Sequence, residues 1–157
     1  IIFERGVALN SIISTGTVIN ADTTAELLKN MFFNKAPLHD GAVIIRDGRI
    51  AAAGCVLPLT QRTNLSKDLG MRHRAGIGLS EESDAVIIVV SEETGAISVA
   101  MDGMLKRHLS GEALDKLLRS ELIREEDSTE KHSFMDNIRN FFKVNANVDE
   151  KQDEENL

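Results

Sequence analysis

Residues 42–57 read AVIIRDGRIAAAGCVL. Two runs of apolar and small residues flank Asp47-Gly48, and each is of strand length. Glycine accepts the positive φ that a type I′ turn needs, so the segment predicts a strand, a two-residue turn and a returning strand. Nearly every position before the turn is apolar. Strands of that kind are covered on both faces, which puts this hairpin inside a sheet flanked by helices.

Upstream, IIFERG (1–6) and GTVIN (16–20) read as short strands joined by a polar link. TTAELLKNMFF (23–33) reads as a helix, with Thr23 as its cap and Glu26 completing a capping box. Leu27, Leu28, Met31 and Phe32 share one face, and Pro37 stops any continuation. Downstream of Pro58 a polar loop runs to about Gly70. RAGIGLSEES (74–83) predicts a short helix weakened by two glycines. AVIIVVS (85–91) and AISVAM (96–101) predict a buried strand and its partner, joined by EETG. Asp102-Gly103 marks another turn before MLKRHL. Ser110 caps a last helix with an apolar stripe of Leu114, Leu117, Leu118 and Leu122. Hairpins interspersed with helices predict an α/β fold: one domain with a mixed central β-sheet and helices on both sides.

The chain has 157 residues, 42% of them apolar and 27% charged, with no Trp or Tyr. This is enough for one domain with an aliphatic core. The net charge is −7, and residues 125–157 hold 10 acidic and 4 basic residues, so most of the acidity belongs to the end of the chain. A chain so charged and lacking a long basic stripe is repelled by a nucleic-acid backbone, so no nucleic-acid partner is expected. No apolar run is long enough to span a membrane. The lone Cys55, inside an apolar run, reads as a buried reduced thiol. FMDNIRNFF (134–142) suggests one or two more amphipathic turns, and the polar stretch from Asn145 onward reads as disordered.

Phosphate loops of the GxxxxGK[ST] kind, HExxH and paired-cysteine sites are all absent from the sequence. Three rarer stretches carry chemistry. In PLHDGAVII (37–45), His39 and Asp40 can hold a divalent cation, or Asp40-Gly41 is simply the turn that starts a strand. In MRHRAG (71–76), guanidinium forks match phosphate oxygens, or the segment is a solvated basic turn paired with Asp68. In VVSEETG (89–95), Ser91, Glu92 and Glu93 are either solvated or face a metal or a ribose.

Taken together, HDGA (39–42), RHRAGIGLSE (72–81) and VVSEETGAISVA (89–100) resemble the diadenylate cyclase domain, in particular its membrane-anchored bacterial class. The resemblance spans roughly residues 1–122. It implies a mixed sheet with helices on both sides. It also implies that two ATP molecules are condensed into cyclic di-AMP and two pyrophosphates across a face-to-face homodimer. A divalent metal (Mn²⁺, Mg²⁺ or Co²⁺) is implied as cofactor.

Carried over by position, Asp40 is the key acid, binding metal and helping to activate the hydroxyl, and His39 and Glu93 are further metal contacts. Gly41 and Ala42 line the nucleotide and Leu57 packs on adenine. Arg72, His73 and Arg74 hold the phosphates, Met71 beside them is a further nucleotide contact, and Ser91 and Glu92 border the phosphates. Arg72, His73 and Arg74 join Asp40 in the catalytic set. Two positions depart from the family pattern: Met71 stands where threonine is common, and Val56 where an aromatic often stacks near the base. The family's first helix and the start of its first strand are missing, so the chain reads as an N-terminally truncated catalytic domain (1–124) followed by an acidic, partly helical tail (125–157).

The resemblance further implies a cytoplasmic domain. Its parent is anchored through upstream membrane helices and is open to regulatory protein partners. The competing readings are a module that senses ATP or a cyclic dinucleotide without turnover, and a metal-dependent phosphodiesterase.

Overall fold

A computed structural model describes residues 1–123 and 134–143. Seven strands form one sheet: β1 (Ile2–Phe3), β2 (Thr17–Asp22), β3 (Ala42–Arg46), β4 (Arg49–Cys55), β5 (Val86–Val90), β6 (Ile97–Met101) and β7 (Met104–Leu109). Their spatial order is β2-β4-β3-β1-β5-β6-β7. β1 runs parallel to β3 and antiparallel to β5, and the other neighbours are antiparallel. The sheet is therefore mixed, as the sequence predicts. The β3–β4 turn has Asp47 at φ 50° and Gly48 at φ 75°, both in the region that a type I′ turn demands.

Period-two alternation sends side chains to two cores. Val86 and Ile88 of β5 join Phe3, Val43, Ile45 and Val99 on one face. That face is covered by α2 (Ala25–Met31), α4 (Gly111–Leu122) and a fifth helix over 134–143. Ile87 and Val89 point the other way and join Ile2, Ile44 and Ala100 beneath α1 (Asn10–Ile13) and α3 (Met71–Glu82). Both faces are helical, which explains the near-continuous apolar runs of β3 and β5.

The last helix among the described residues, α5 (134–143), buries Met135, Ile138, Phe141 and Phe142 in the core of the first face. Phe134 meets Phe3 edge-on at 6.0 Å between centroids, and Phe141 lies 6.2 Å from Phe32. Arg119 of α4 ties it down from outside, bonding Asp115 on its own helix and Asp136 on α5. The expectation of disorder from Asn145 onward concerns residues outside those described.

Three local readings need correction. Thr24, not Thr23, caps α2, accepting from the Leu27 N–H at 3.1 Å. Thr23 instead donates to the Gly48 carbonyl at 2.8 Å, tying the helix start to the hairpin turn, and Glu26 then falls one residue short of a capping-box position. The polar link before β2 holds the short helix α1. MLKRHL, read only as the segment after a turn, forms the edge strand β7.

The two glycines of α3 have a positive role that propensity hides. A Cβ on Gly76 would lie 2.8 Å from a Val89 methyl, and one on Gly78 would lie 2.3 Å from the Pro58 carbonyl oxygen. The helix is thus pressed onto the sheet on one side and crossed by residues 58–60 on the other. Tertiary packing overrides the helix cost of glycine.

Candidate active site

The sheet register puts the predicted site residues on one edge. Ile2 aligns with Ile44 on β3 and with Ile87 on β5. Asp40 lies four residues from that row toward the start of β3, and Ser91 lies four residues from it beyond β5. Because β5 runs against β3, both point to the same edge. Only β1 separates the two strands, so their exits are about 10 Å apart laterally. Ala42 pairs with Cys55, so the exit of β4, leading to Val56 and Leu57, belongs to this edge as well.

α3 brings the basic residues there. It begins at Met71 rather than at Arg74, so Arg72, His73 and Arg74 form its first turn. Its N-cap is Gly70, no side chain caps it, and nothing lies within 4 Å of the position a Gly70 Cβ would take. The first N–H groups are left to an external acceptor, and the positive end of the helix dipole lies with them. The Arg72 guanidinium pairs with Glu92 at 2.5 Å, joining the helix start to the β5–β6 loop. The alternative pairing of the basic turn with Asp68 does not form through Arg72, since Asp68 bonds Arg107 instead. Arg74 is held by two backbone contacts, its Nε donating to the Leu69 carbonyl at 3.4 Å and its carbonyl accepting from the Thr60 N–H at 3.1 Å.

The inner residue of the triplet behaves differently. His73 is buried at 7% exposure. Burial lowers its pKa first and Arg107 lowers it further, against an opposing effect of Asp68, and the net shift favours the neutral ring. The outer arginines are the cationic pair.

At the mouth of β3, Asp40 is exposed. Its neighbour His39 donates from Nδ1 to the Ala36 carbonyl at 2.7 Å, because a carbonyl can only accept. That bond fixes the tautomer and leaves the Nε2 lone pair for a ligand. Gly41 has φ +108°, and a Cβ there would come within 2.8 Å of the Gly54 backbone. The glycine is needed for the two strands to meet. Ala42 is buried and packs into the second core. Leu57 is half-buried against the second core, whereas Val56 is 66% and Met71 69% exposed. Ser91 closes its loop, with its Oγ accepting from the Thr94 N–H at 3.3 Å, and Glu93 is exposed. Cys55 is buried, and burial pushes its thiol pKa up, which suits a core thiol and not a nucleophile.

The donor set fits a divalent cation held jointly with a ligand. Among the described residues no three His, Cys, Asp or Glu side chains converge. Asp40 and the free nitrogen of His39 supply a carboxylate and an imidazole, and Mg²⁺-type ions are commonly bound by one or two carboxylates plus substrate phosphates.

A cleft of about 520 Å³ lies at the opposite end of α3, lined by Arg62, Ser80, Glu81, Asp84 and Asp102 among others. It is acidic, and two of its four carboxylates are already engaged: Glu81 by Arg62, and Asp84 by the N–H groups of Gly6 and Val7. Its charge is wrong for a phosphate, so the sheet edge is the better site. The sequence reading missed the segment 58–60 as a part of this edge. Its signal, a glycine at position 78 facing a chain crossing, is legible only in three dimensions.

Residues 1–105 match the family described as the DisA bacterial checkpoint controller nucleotide-binding (DAC) domain. The "Cyclic di-AMP synthase CdaA" of Bacillus subtilis is 50% identical over 118 residues, covering 75% of this chain and 43% of that protein. The chain therefore spans less than half of that relative's length. A crystal structure of a DacA double mutant from Staphylococcus aureus is 46% identical, with a TM-score of 0.76, over 78% of this chain and 82% of that one. A Bacillus cereus structure described as a hypothetical membrane spanning protein is 50% identical, with a TM-score of 0.67, over 69% of this chain and 53% of that one. No described helix of this chain is long and apolar enough to cross a membrane. With its match over 1–105 and the same mixed sheet, the chain belongs to the DAC family of bacterial nucleotide-binding domains.

Proposed function

We propose that this chain is a diadenylate cyclase domain that condenses two ATP into cyclic di-AMP across two copies of itself. The observation that carries the reading is the meeting, on one sheet edge, of an exposed carboxylate at Asp40 with an open helix start bearing Arg72 and Arg74.

The roles follow from charge. Arg72, Arg74 and the free N–H groups of α3 hold the triphosphate and stabilise the charge that grows on it. Leu57 packs on the base, beside the exposed Val56. The 3′-oxygen of each ATP attacks the α-phosphorus of the other. At each centre a new P–O bond forms, the bond to the β-phosphate oxygen breaks, and pyrophosphate leaves. Asp40 takes the hydroxyl proton. His39 and Asp40 would hold a divalent cation (Mn²⁺, Mg²⁺ or Co²⁺) together with the phosphates, and it would neutralise phosphate charge when bound; Glu93 does not converge with them in one chain to complete a three-ligand group. Ser91 and Glu92 border the phosphates, and neutral His73 supports the turn from inside. The names of the relatives, which include a cyclic di-AMP synthase and a membrane spanning protein, support both the product and an anchored parent.

The test is incubation of the chain with ATP and Mn²⁺, with products separated and identified by mass. Cyclic di-AMP should form, with specific activity rising with protein concentration until dimers saturate. Asp40→Asn should remove product formation with little change in melting temperature, because the side chain is exposed. ATP binding without product in the unmodified chain would make it a sensor, and full activity in Asp40→Asn would take the acid out of the mechanism.

A further inference from the structure

Arg107 belongs to the edge strand β7, two residues past the stretch that matches the family. Its guanidinium does not face solvent alone. Nη2 bonds the Asp68 carboxylate at 2.6 Å, and that carboxylate also accepts from the Ser66 hydroxyl. Leu69 is buried, its N–H donates to the Ser66 carbonyl at 3.3 Å, and its carbonyl accepts from Arg74 Nε. The next residue, Gly70, is the N-cap of α3. A chain of contacts thus runs from β7 through Asp68, Ser66 and Leu69 to the turn that carries Arg72 and Arg74.

The pair has little to do for global stability. Its side chains are 34% and 55% exposed, and pairs so exposed add little to stability. Yet it spans 39 residues of sequence and fastens the loop immediately before an open helix start. The cap itself is glycine, so no capping side chain helps to fix the direction in which the first turn points. The Arg107–Asp68 pair adds a fastening from β7 to those that Glu92 and Thr60 supply. Buried His73 in the same turn feels both partners, Arg107 lowering its pKa and Asp68 raising it.

We infer that Arg107 is a positioning residue for the phosphate-binding turn of α3, acting through Asp68 to aim Arg72 and Arg74 at the triphosphate. The inference rests on the cyclase reading for its substrate and extends it to a residue outside the matched stretch. Arg107 touches neither ATP nor metal in this account. Its cost when lost falls on nucleotide affinity, not on the bond-making step.

The experiment compares the full chain with Arg107→Gln, Asp68→Asn, the double variant and Arg107→Lys. Steady-state kinetics with ATP and Mn²⁺ are combined with NMR titration of the His73 ring. Each single variant should raise the KM for ATP about fivefold, the kinetic equivalent of an exposed pair, with kcat and melting temperature little changed. The double variant should be no worse than either single, because both remove one connection. Arg107→Lys should recover most of the loss. The His73 midpoint should rise in Arg107→Gln and fall in Asp68→Asn, opposite shifts that general loosening of the loop would not produce. Unchanged KM in the single variants, or additive losses in the double, would overturn the inference while leaving the cyclase reading intact. If the unmodified chain makes no cyclic dinucleotide, the cyclase reading falls. Equilibrium binding of ATP with Mn²⁺ then decides the inference, weaker binding in the single variants supporting it and equal binding overturning it.

Discussion

Arg72 and Glu92 form an ion pair at 2.5 Å between the first turn of α3 and the loop after β5, with the glutamate two-thirds exposed. The same guanidinium is the one proposed to grip a triphosphate. A phosphate oxygen therefore competes with a carboxylate already in place. Replacing Glu92 by Gln removes the competitor and should lower the KM for ATP about threefold, since an exposed pair is worth at most about 1 kcal/mol. Arg72→Ala should raise it by roughly one to two orders of magnitude, because a charge-assisted contact contributes about 1.5–3 kcal/mol. Initial-rate measurements across ATP concentrations check both, and a higher KM in Glu92→Gln would mean that the glutamate aids binding.

Gly78 should be the least replaceable position in α3. A methyl there would meet backbone atoms, the Pro58 oxygen at 2.3 Å and the Thr60 nitrogen at 2.6 Å, which can yield only if the crossing segment lifts. Gly78→Ala should cost about 1–3 kcal/mol, as overpacking does. Gly76→Ala meets a Val89 methyl, and a gain in helix propensity of about 1 kcal/mol works against the clash. Urea unfolding of both variants should rank Gly78→Ala as clearly the less stable.

The fifth helix makes a separate demand. Phe141 is 4% exposed and packs against Phe32 and Phe142. Phe141→Ala should destabilise the chain by about 3 kcal/mol, within the range for buried aromatics. A variant whose unfolding midpoint matches the parent's would mean that α5 does not stay docked in solution.

Acid should loosen the chain between β1 and α1. Asp84 accepts from the Val7 and Gly6 N–H groups, both at 2.9 Å. The Val7 bond is the largest influence on its pKa; burial opposes it, Gly6 and Arg5 assist, and the net result lies below the usual 3.8. A depressed folded pKa contributes stability that is complete above the ordinary carboxylate value and is lost as pH falls through the folded one. Unfolding at pH 7 and pH 3 should show a smaller acid loss in Asp84→Asn than in the parent. An equal loss would mean that other carboxylates carry the acid sensitivity.

Much of this fold is written in local signals. Asp47-Gly48 and Asp102-Gly103 both turn with positive φ, and Ser110 caps α4 by accepting from the Ala113 N–H at 3.2 Å. Turns and caps are readable because each depends on a few adjacent residues. The start of α3 was less readable, since glycines at 76 and 78 lower its propensity and only the sheet and the 58–60 crossing explain them. α1 is a single turn, too short for a period to appear. The residues of the candidate site were legible as three separate stretches. Their meeting was not, because it depends on two-residue β1 lying between β3 and β5, parallel to one and antiparallel to the other.

The hydrogen bond from the Thr60 N–H to the Arg74 carbonyl joins the chain leaving β4 to the helix that carries the arginines. Leu57 and Arg74 are therefore mounted on one frame and not on two hinged arms. A ligand held between them, as proposed, would meet a ruler of set length, so selection by size would come before any chemistry.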